Sequence, residues 1–231
     1  MITLNHKLII GVLVAILAML ALGEAECRAA TPPKPTPAPM TDEEWRNQFK
    51  AKMAPFGAQA TPAPVEQRGK VTYTLQKPKE PTEEEQQIFT AVAQGMEKAV
   101  SFYNRYTTIK KQLNVVYSPG TPTADGNING TIRFGKNARN ARVLMHEICH
   151  TVGIGTHPKW GQLMVDHLWQ GKQGNRVLQE LTKDPTAQIH GDHMHFWPYG
   201  LNYDTEVKSD EDFIRHAKIV EAMVQDLKAA R

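Results

Sequence analysis

The stretch from Met145 to His157, Met-His-Glu-Ile-Cys-His-Thr-Val-Gly-Ile-Gly-Thr-His, limits what this chain can fold into more than any other segment. His146 and His150 stand four residues apart, with Glu147 directly after the first. On an α-helix that spacing puts both imidazoles on one face, one turn above each other. Two ring nitrogens so placed can address one metal ion, and zinc takes such nitrogens at about 2.0–2.1 Å while leaving room for a water. Glu147 lies about 100° further round the helix. From there its carboxylate reaches the water rather than the metal, which is how a metal-activated hydrolase is arranged. The competing reading is a structural pair of histidines that satisfy each other. Leu144, Ile148 and Val152 recur at helical spacing and give the segment an apolar face. The spacing predicts a helix over about 138–152 that carries Zn2+ on one side and packs into a core on the other.

What surrounds this helix is one ordinary domain with tails. A chain of 231 residues, 41% hydrophobic and 22% charged, has a globular composition. A net charge of +3, with no basic cluster interleaved with aromatics, argues against a nucleic-acid partner. Two cysteines, Cys27 and Cys149, exclude a disulfide scaffold, and Cys149 reads as a small buried hydrophobe. Residues 1–29 read as a signal peptide or, if uncleaved, an N-terminal anchor: Leu8 to Leu22 is an almost unbroken apolar run, and Gly23-Glu24-Ala25 supplies small residues for cleavage. The expected location is secreted or periplasmic, with a membrane contact only through that anchor. Residues 30–69 read as a Pro/Ala-rich linker with one short helix capped at Thr41.

The folded domain is expected over residues 70–231. Val71 to Leu75 reads as a strand, and Thr82 with Glu85 forms a capping box for a helix whose core face is Ile88, Phe89, Val92, Met96, Ala99 and Val100. Leu113 to Tyr117 is a second strand and Thr131 to Phe134 a third, with a polar loop between them marked by Asp125-Gly126 and Asn129-Gly130. Thr131–Phe134 is a candidate edge strand for an extended peptide, the alternative being an ordinary core strand. After His157, residues 163–169 form a short apolar segment, and Gly171 and Gly174 bracket a turn. Val177–Leu181 is a short helix, and residues 190–203 are rich in His and aromatics but irregular. Asp210 to Leu227 is an amphipathic helix.

Gly153, three residues after His150, makes the motif His-Glu-x-x-His-x-x-Gly, which resembles the metzincin group of zinc peptidases. Metzincins carry a third His ten residues after the first. Here Thr156 stands at that place and His157 one later, with Gly155 able to absorb a one-residue bulge. His-Glu-x-x-His-x-x-Gly-x-Gly-Thr together with the later His-Phe-Trp-Pro-Tyr-Gly-Leu-Asn-Tyr is similar to a group of exported zincin-like proteins, over roughly residues 140–205. That resemblance implies that His195 belongs to the site. Met194 resembles a Met-turn, and Tyr199 or Tyr203 would supply a hydroxyl to the oxyanion. A gluzincin-like option draws a ligand from Glu180, with Asp184 behind it. The third ligand is thus His157, His195 or Glu180, whereas His190 and His193 read as surface histidines.

The fold class expected is α+β and zincin-like, a small mixed sheet packed on the active-site helix with a helical C-terminal part. The function expected is that of a zinc metallopeptidase acting on a peptide or protein substrate, with Glu147 as general base. Two alternatives stand beside it. One is a non-catalytic, envelope-tethered binding module on the same fold. The other is a zinc amidase acting on cell-wall or glycan substrates.

Overall fold

A computed structural model describes residues 68–230, so the expected leader and most of the linker lie outside the described residues. The chain enters as β1 (Lys70–Gln76) and continues through α1 (Glu83–Tyr106), β2 (Lys110–Tyr117), β3 (Ala124–Gly126) and β4 (Thr131–Phe134) into α2 (Ala141–Thr151). These strands make one mixed sheet in the order β1-β2-β4-β3, in which β1, β2 and β4 run parallel and β3 pairs antiparallel with β4. Alternation along the strands sorts its two faces. Val71, Leu113, Val115, Ile132 and Phe134 are buried, while Thr72, Gln112 and Arg133 between them face water. Phe89 of α1 meets Phe134 and Tyr117 edge-on, which fixes α1 against the buried face.

α1 begins where the capping box predicts, with Thr82 accepting from Glu85 N–H and Glu85 returning the bond to Thr82 N–H. Its buried stripe is Ile88, Phe89, Val92, Met96, Ala99 and Tyr103. Gly95 lets α2 approach closely, because a methyl there would come within 2.7 Å of the Leu144 side chain.

The second half of the chain is a one-turn helix α3 (Trp160–Leu163), a hairpin of β5 (Met164–Val165) and β6 (Leu168–Trp169), α4 (Lys172–Thr182), β7 (His190–Gly191) and β8 (Phe196–Trp197). A 3-10 turn (Asp204–Glu206) and α5 (Asp210–Ala229) complete it. The four short strands form an antiparallel sheet in chain order. The result is a mixed α+β fold with a small sheet packed against helices and a histidine cluster at its centre. Among the described residues, no helix is long and apolar enough to cross a membrane.

Thr131–Phe134 takes the second of its two readings, a strand inside the sheet: the Asp125-Gly126 and Asn129-Gly130 signals belong to a hairpin, and its first arm, β3, takes the edge. Within 163–169, Leu163 ends α3 and residues 164–169 are a hairpin, turned by Asp166 and His167, both left-handed (φ 50° and 63°). Gly174 does not bracket a turn but lies in the first turn of α4, where its N–H and that of Gln173 donate to the buried Asp226 carboxylate.

Candidate metal centre

The helix that carries the motif is buried all round from Val143 to Thr151, held between α1, β3 and α5. Asn140 caps it, its side chain accepting from Val143 N–H at 3.0 Å. Its far end explains the Gly of the motif. Gly153 has φ +116°, Gly153 N–H donates to His150 O (3.2 Å) and Ile154 N–H to Cys149 O (3.1 Å), the bond pair of a Schellman turn. That turn swings the Ile154 carbonyl back onto the helix, where it accepts the Nδ1 proton of His150 at 2.7 Å. The Gly therefore does more than end the helix: it fixes the tautomer of the second histidine.

His146 is wired in the same way from elsewhere. Its Nδ1 donates to the carbonyl of Gly200 at 2.8 Å. With both Nδ1 protons given to carbonyls, which can only accept, both Nε2 atoms carry bare lone pairs. They face each other at 3.1 Å. Such a pair repels unless a proton or a cation stands between them. Burial first, then the neighbouring His150, holds His146 well below the usual histidine range, and burial lowers His150 too, so a proton is disfavoured. A tetrahedral zinc with bonds of about 2.0–2.1 Å sets its nitrogens roughly 3.3 Å apart. The donor pair fits that ion.

A buried His146-Glu147…His150 cluster of the His-Glu-x-x-His kind is thus present. The donor atoms that lie within 4.8 Å of one another are those of His146, His150 and Cys149. Burial pushes the Cys149 thiol well above its ordinary value, which opposes the thiolate a metal needs. On the other side stands His195. Its ring stacks on His146 (5.5 Å between centroids, 20° between planes) and lies 5.8 Å from that of His150. Its Nδ1 donates to the Asp192 carboxylate at 3.1 Å, which turns Nε2 to the opposite side of the ring as the nitrogen available to a metal. Asp192 also accepts from the backbone N–H of Met194 and His195. Burial alone would raise Asp192, but the bonds from His195 and these amides outweigh it and hold the carboxyl well below the usual range.

The other candidate residues make contacts of their own. Among the described residues, His157 is not one of the rings in contact with that cluster, and its Nδ1 accepts from Lys159 N–H at 3.1 Å. Glu180 is exposed on α4 and pairs with Arg176 one turn away. The Tyr199 hydroxyl accepts from Arg215 at 3.3 Å, with the guanidinium over its ring. Tyr203 is 38% exposed beside the loop that receives His146. His193 is exposed, its ring 6.5 Å from that of His195.

Glu147 is 6% exposed, and burial, then the charge of Asp125, raises its carboxyl to about 7. A backbone hydrogen bond from Gly126 on β3 works the other way. Gly126 lies so close to α2 that a methyl there would run into the Glu147 carbonyl oxygen. The edge strand and the helix are thus in direct contact at the acidic residue.

One further residue carries no signal in the sequence. His216 of α5 is fully buried beneath α2. Its Nδ1 donates to Tyr199 O at 2.7 Å, and its Nε2 faces the Tyr103 hydroxyl at 3.0 Å and Met145 O at 3.3 Å. It occupies a core position of an amphipathic helix, and nothing in its local sequence marks it out. No family model, curated protein or solved structure matches this chain, so the site is read from its own geometry.

Proposed function

We propose that the chain is a zinc-dependent metallopeptidase in which His146, His150 and His195 hold the ion and Glu147 is the general base. The observation that carries this is the pair of bare Nε2 atoms, 3.1 Å apart, with both tautomers fixed by carbonyls. His195 is favoured over His157 because its ring lies against both other imidazoles and a carboxylate orients it. It is favoured over Cys149 because burial makes that thiol hold its proton, whereas the His195 ring is already oriented by a carboxylate. Bound there, zinc supplies Lewis acidity and lowers the pKa of a coordinated water toward neutrality.

The protein's own part is proton transfer and alignment. Glu147 accepts the proton of the attacking water at a carboxylate oxygen and passes it to the nitrogen of the leaving amine. Its value of about 7 suits both directions near neutral pH, and a nearby cation would favour the carboxylate. A peptide lies extended along β3, whose contact with Glu147 sets the distance from backbone to base. Tyr203, partly exposed beside the segment whose Gly200 carbonyl meets His146, is the hydroxyl we assign to the oxyanion. The apolar run near the start of the chain supports work outside the cytoplasm.

The test pairs metal content with rate. Glu147→Gln should keep about one zinc per chain and lose about 10²–10⁴-fold in hydrolysis of casein or a fluorogenic peptide mixture. A purified wild type that takes up no zinc, or a variant as active as wild type, refutes the proposal.

A further inference from the structure

The segment Tyr199–Tyr203 presents two carbonyls to buried histidines: Gly200 O to His146 and Tyr199 O to His216. Its backbone is an unusual one to hold still. Tyr199 and Leu201 are both left-handed, at φ 64° and 59°, with no glycine at either position to relieve the strain. Two charged side chains grip it from opposite sides. Arg142, one helical turn before His146, donates through one guanidinium nitrogen to Leu201 O (2.9 Å) and Asn202 O (3.1 Å), and through Nε to Asp204 (2.7 Å). Glu206, its carboxyl raised by burial, accepts from Leu201 N–H (3.0 Å) and Tyr203 N–H (3.1 Å). Leu201 thus has its carbonyl held by one ion and its amide by the other.

We propose that Arg142 and Glu206 are positioning residues for the metal centre, acting through the Gly200 carbonyl to fix the tautomer and ring plane of His146. The inference rests on the metal-centre reading above. Its physical content is that the clamp holds a carbonyl where only a protonated Nδ1 can meet it. Nε2 is then bare and aimed before any ion arrives. Arg142 serves both carbonyls from one guanidinium nitrogen while its Nε reaches Asp204, a spread of fixed donors that a single ammonium nitrogen does not offer. Asp204 is mostly exposed, so its ion pair contributes little, and the two carbonyl bonds carry the effect. Because Arg142 rides on the same helix as His146, the helix and its carbonyl partner are tied together within one turn.

The experiment is zinc affinity by competition with a chromophoric chelator, with Co2+ substitution to report ligand geometry through its visible spectrum. Full-length wild type is compared with Glu206→Gln, Arg142→Ala and Arg142→Lys. Glu206→Gln keeps the shape but turns an amide donor toward one of the two N–H groups. Thr82→Ala, which removes the distant α1 cap, serves as a control for lost stability alone. Loss of outer-shell support typically weakens metal binding about 10–100-fold. That loss is expected for Glu206→Gln and Arg142→Ala, with a smaller one for Arg142→Lys, a shifted Co2+ spectrum in each, and none of this in Thr82→Ala. If Arg142→Ala does not fold, Glu206→Gln and Arg142→Lys decide. Zinc affinities within twofold of wild type, or an equal loss in Thr82→Ala, overturn the inference. A wild type that binds no zinc removes the metal-centre reading itself, and the inference with it.

Discussion

His216 lends itself to a quantitative test, because it joins α5 to the underside of α2 and is fully buried. Burial lowers its pKa to about 4, against 6.5 for a free imidazole, although the carbonyls of Tyr199 and Met145 pull the other way. In the unfolded chain it takes a proton near pH 6.5; in the folded chain it resists until about pH 4. Above pH 6.5 both states are neutral there and nothing is lost. As pH falls through that window the unfolded state binds more protons, so stability declines, and the loss is complete near pH 4. A gap of about 2.5 pH units at 1.36 kcal/mol each is about 3 kcal/mol, a large share of the 5–15 kcal/mol typical of a domain. The groups touching His216 are the Tyr103 hydroxyl from α1, Met145 O from α2, Tyr199 O and the Phe196 ring, none of them charged in that range, and the nearby His150 on α2 adds to the lowering. The assay is urea unfolding of metal-free wild type and His216→Phe at intervals from pH 8 to 4. The variant should be weaker at pH 8, since it strands Tyr199 O and leaves the Tyr103 hydroxyl with Met145 O as its remaining partner. Its curve should then fall about 3 kcal/mol less than that of wild type by pH 4. His146 and His150 titrate in both proteins and largely cancel in the difference. Parallel curves, with a difference that changes by under about 1 kcal/mol, would refute a neutral buried His216.

Three further outcomes follow from contacts at the site. Asp192→Asn sets an amide against His195 Nδ1–H, which drives the proton to Nε2; zinc affinity should drop about 10–100-fold, or roughly 1.4–2.7 kcal/mol, by chelator competition, and an unchanged affinity argues against His195 as a ligand. Gly126→Ala forces β3 away from the Glu147 backbone and His150, so melting should register about 1–3 kcal/mol of overpacking together with lost peptidase activity. Tyr203→Phe should cost about 10²–10³ in kcat at unchanged zinc content, whereas Tyr199→Phe should leave kcat intact and lower stability by about 1–3 kcal/mol; the reverse pattern would exchange their roles.

The parts of the fold that side-chain patterning controls are legible in the amino-acid order alone. α1 starts at its capping box, β4 spans the four residues expected, and α5 begins at Asp210 as expected and ends two residues beyond Leu227, because apolar period and caps act within a few residues of one another. The motif helix is legible for the same reason, although Asn140 starts it a few residues later than periodicity suggests. Edge order is not. β3 is three residues long and carries the same Asp-Gly signal that marks a loop, and only pairing with β4 makes it a strand. Tyr199 shows the other kind of gap. A tyrosine four residues from a site histidine and one reaching Arg215 across the chain look alike in sequence, and the choice depends on α5, whose docking no local pattern encodes.

The wiring of the histidines lies still further from reach, for a reason that bears on what the site is for. Gly200 O, Ile154 O and Tyr199 O orient His146, His150 and His216, and any residue type supplies a carbonyl. What the sequence does specify is the means of bringing those carbonyls into place: Gly153 for the turn behind His150, and Arg142 with Glu206 for the loop behind His146. A carbonyl has no proton to lose, so the tautomers it sets hold at every pH at which the fold survives. Of these four histidines, His195 is oriented by a carboxylate, and Asp192 is kept ionised far into acid by the bond from His195 and the amides of its own turn. A purely structural pair of buried histidines gains nothing from having both Nε2 atoms bared toward each other, because one reversed tautomer would turn that repulsion into a hydrogen bond. Both carbonyls block that reversal. The fold therefore maintains an unfavourable lone-pair contact that a cation relieves, with an acid of raised pKa one residue away. Such an arrangement is expected of a site preorganised for a metal and for proton transfer beside it.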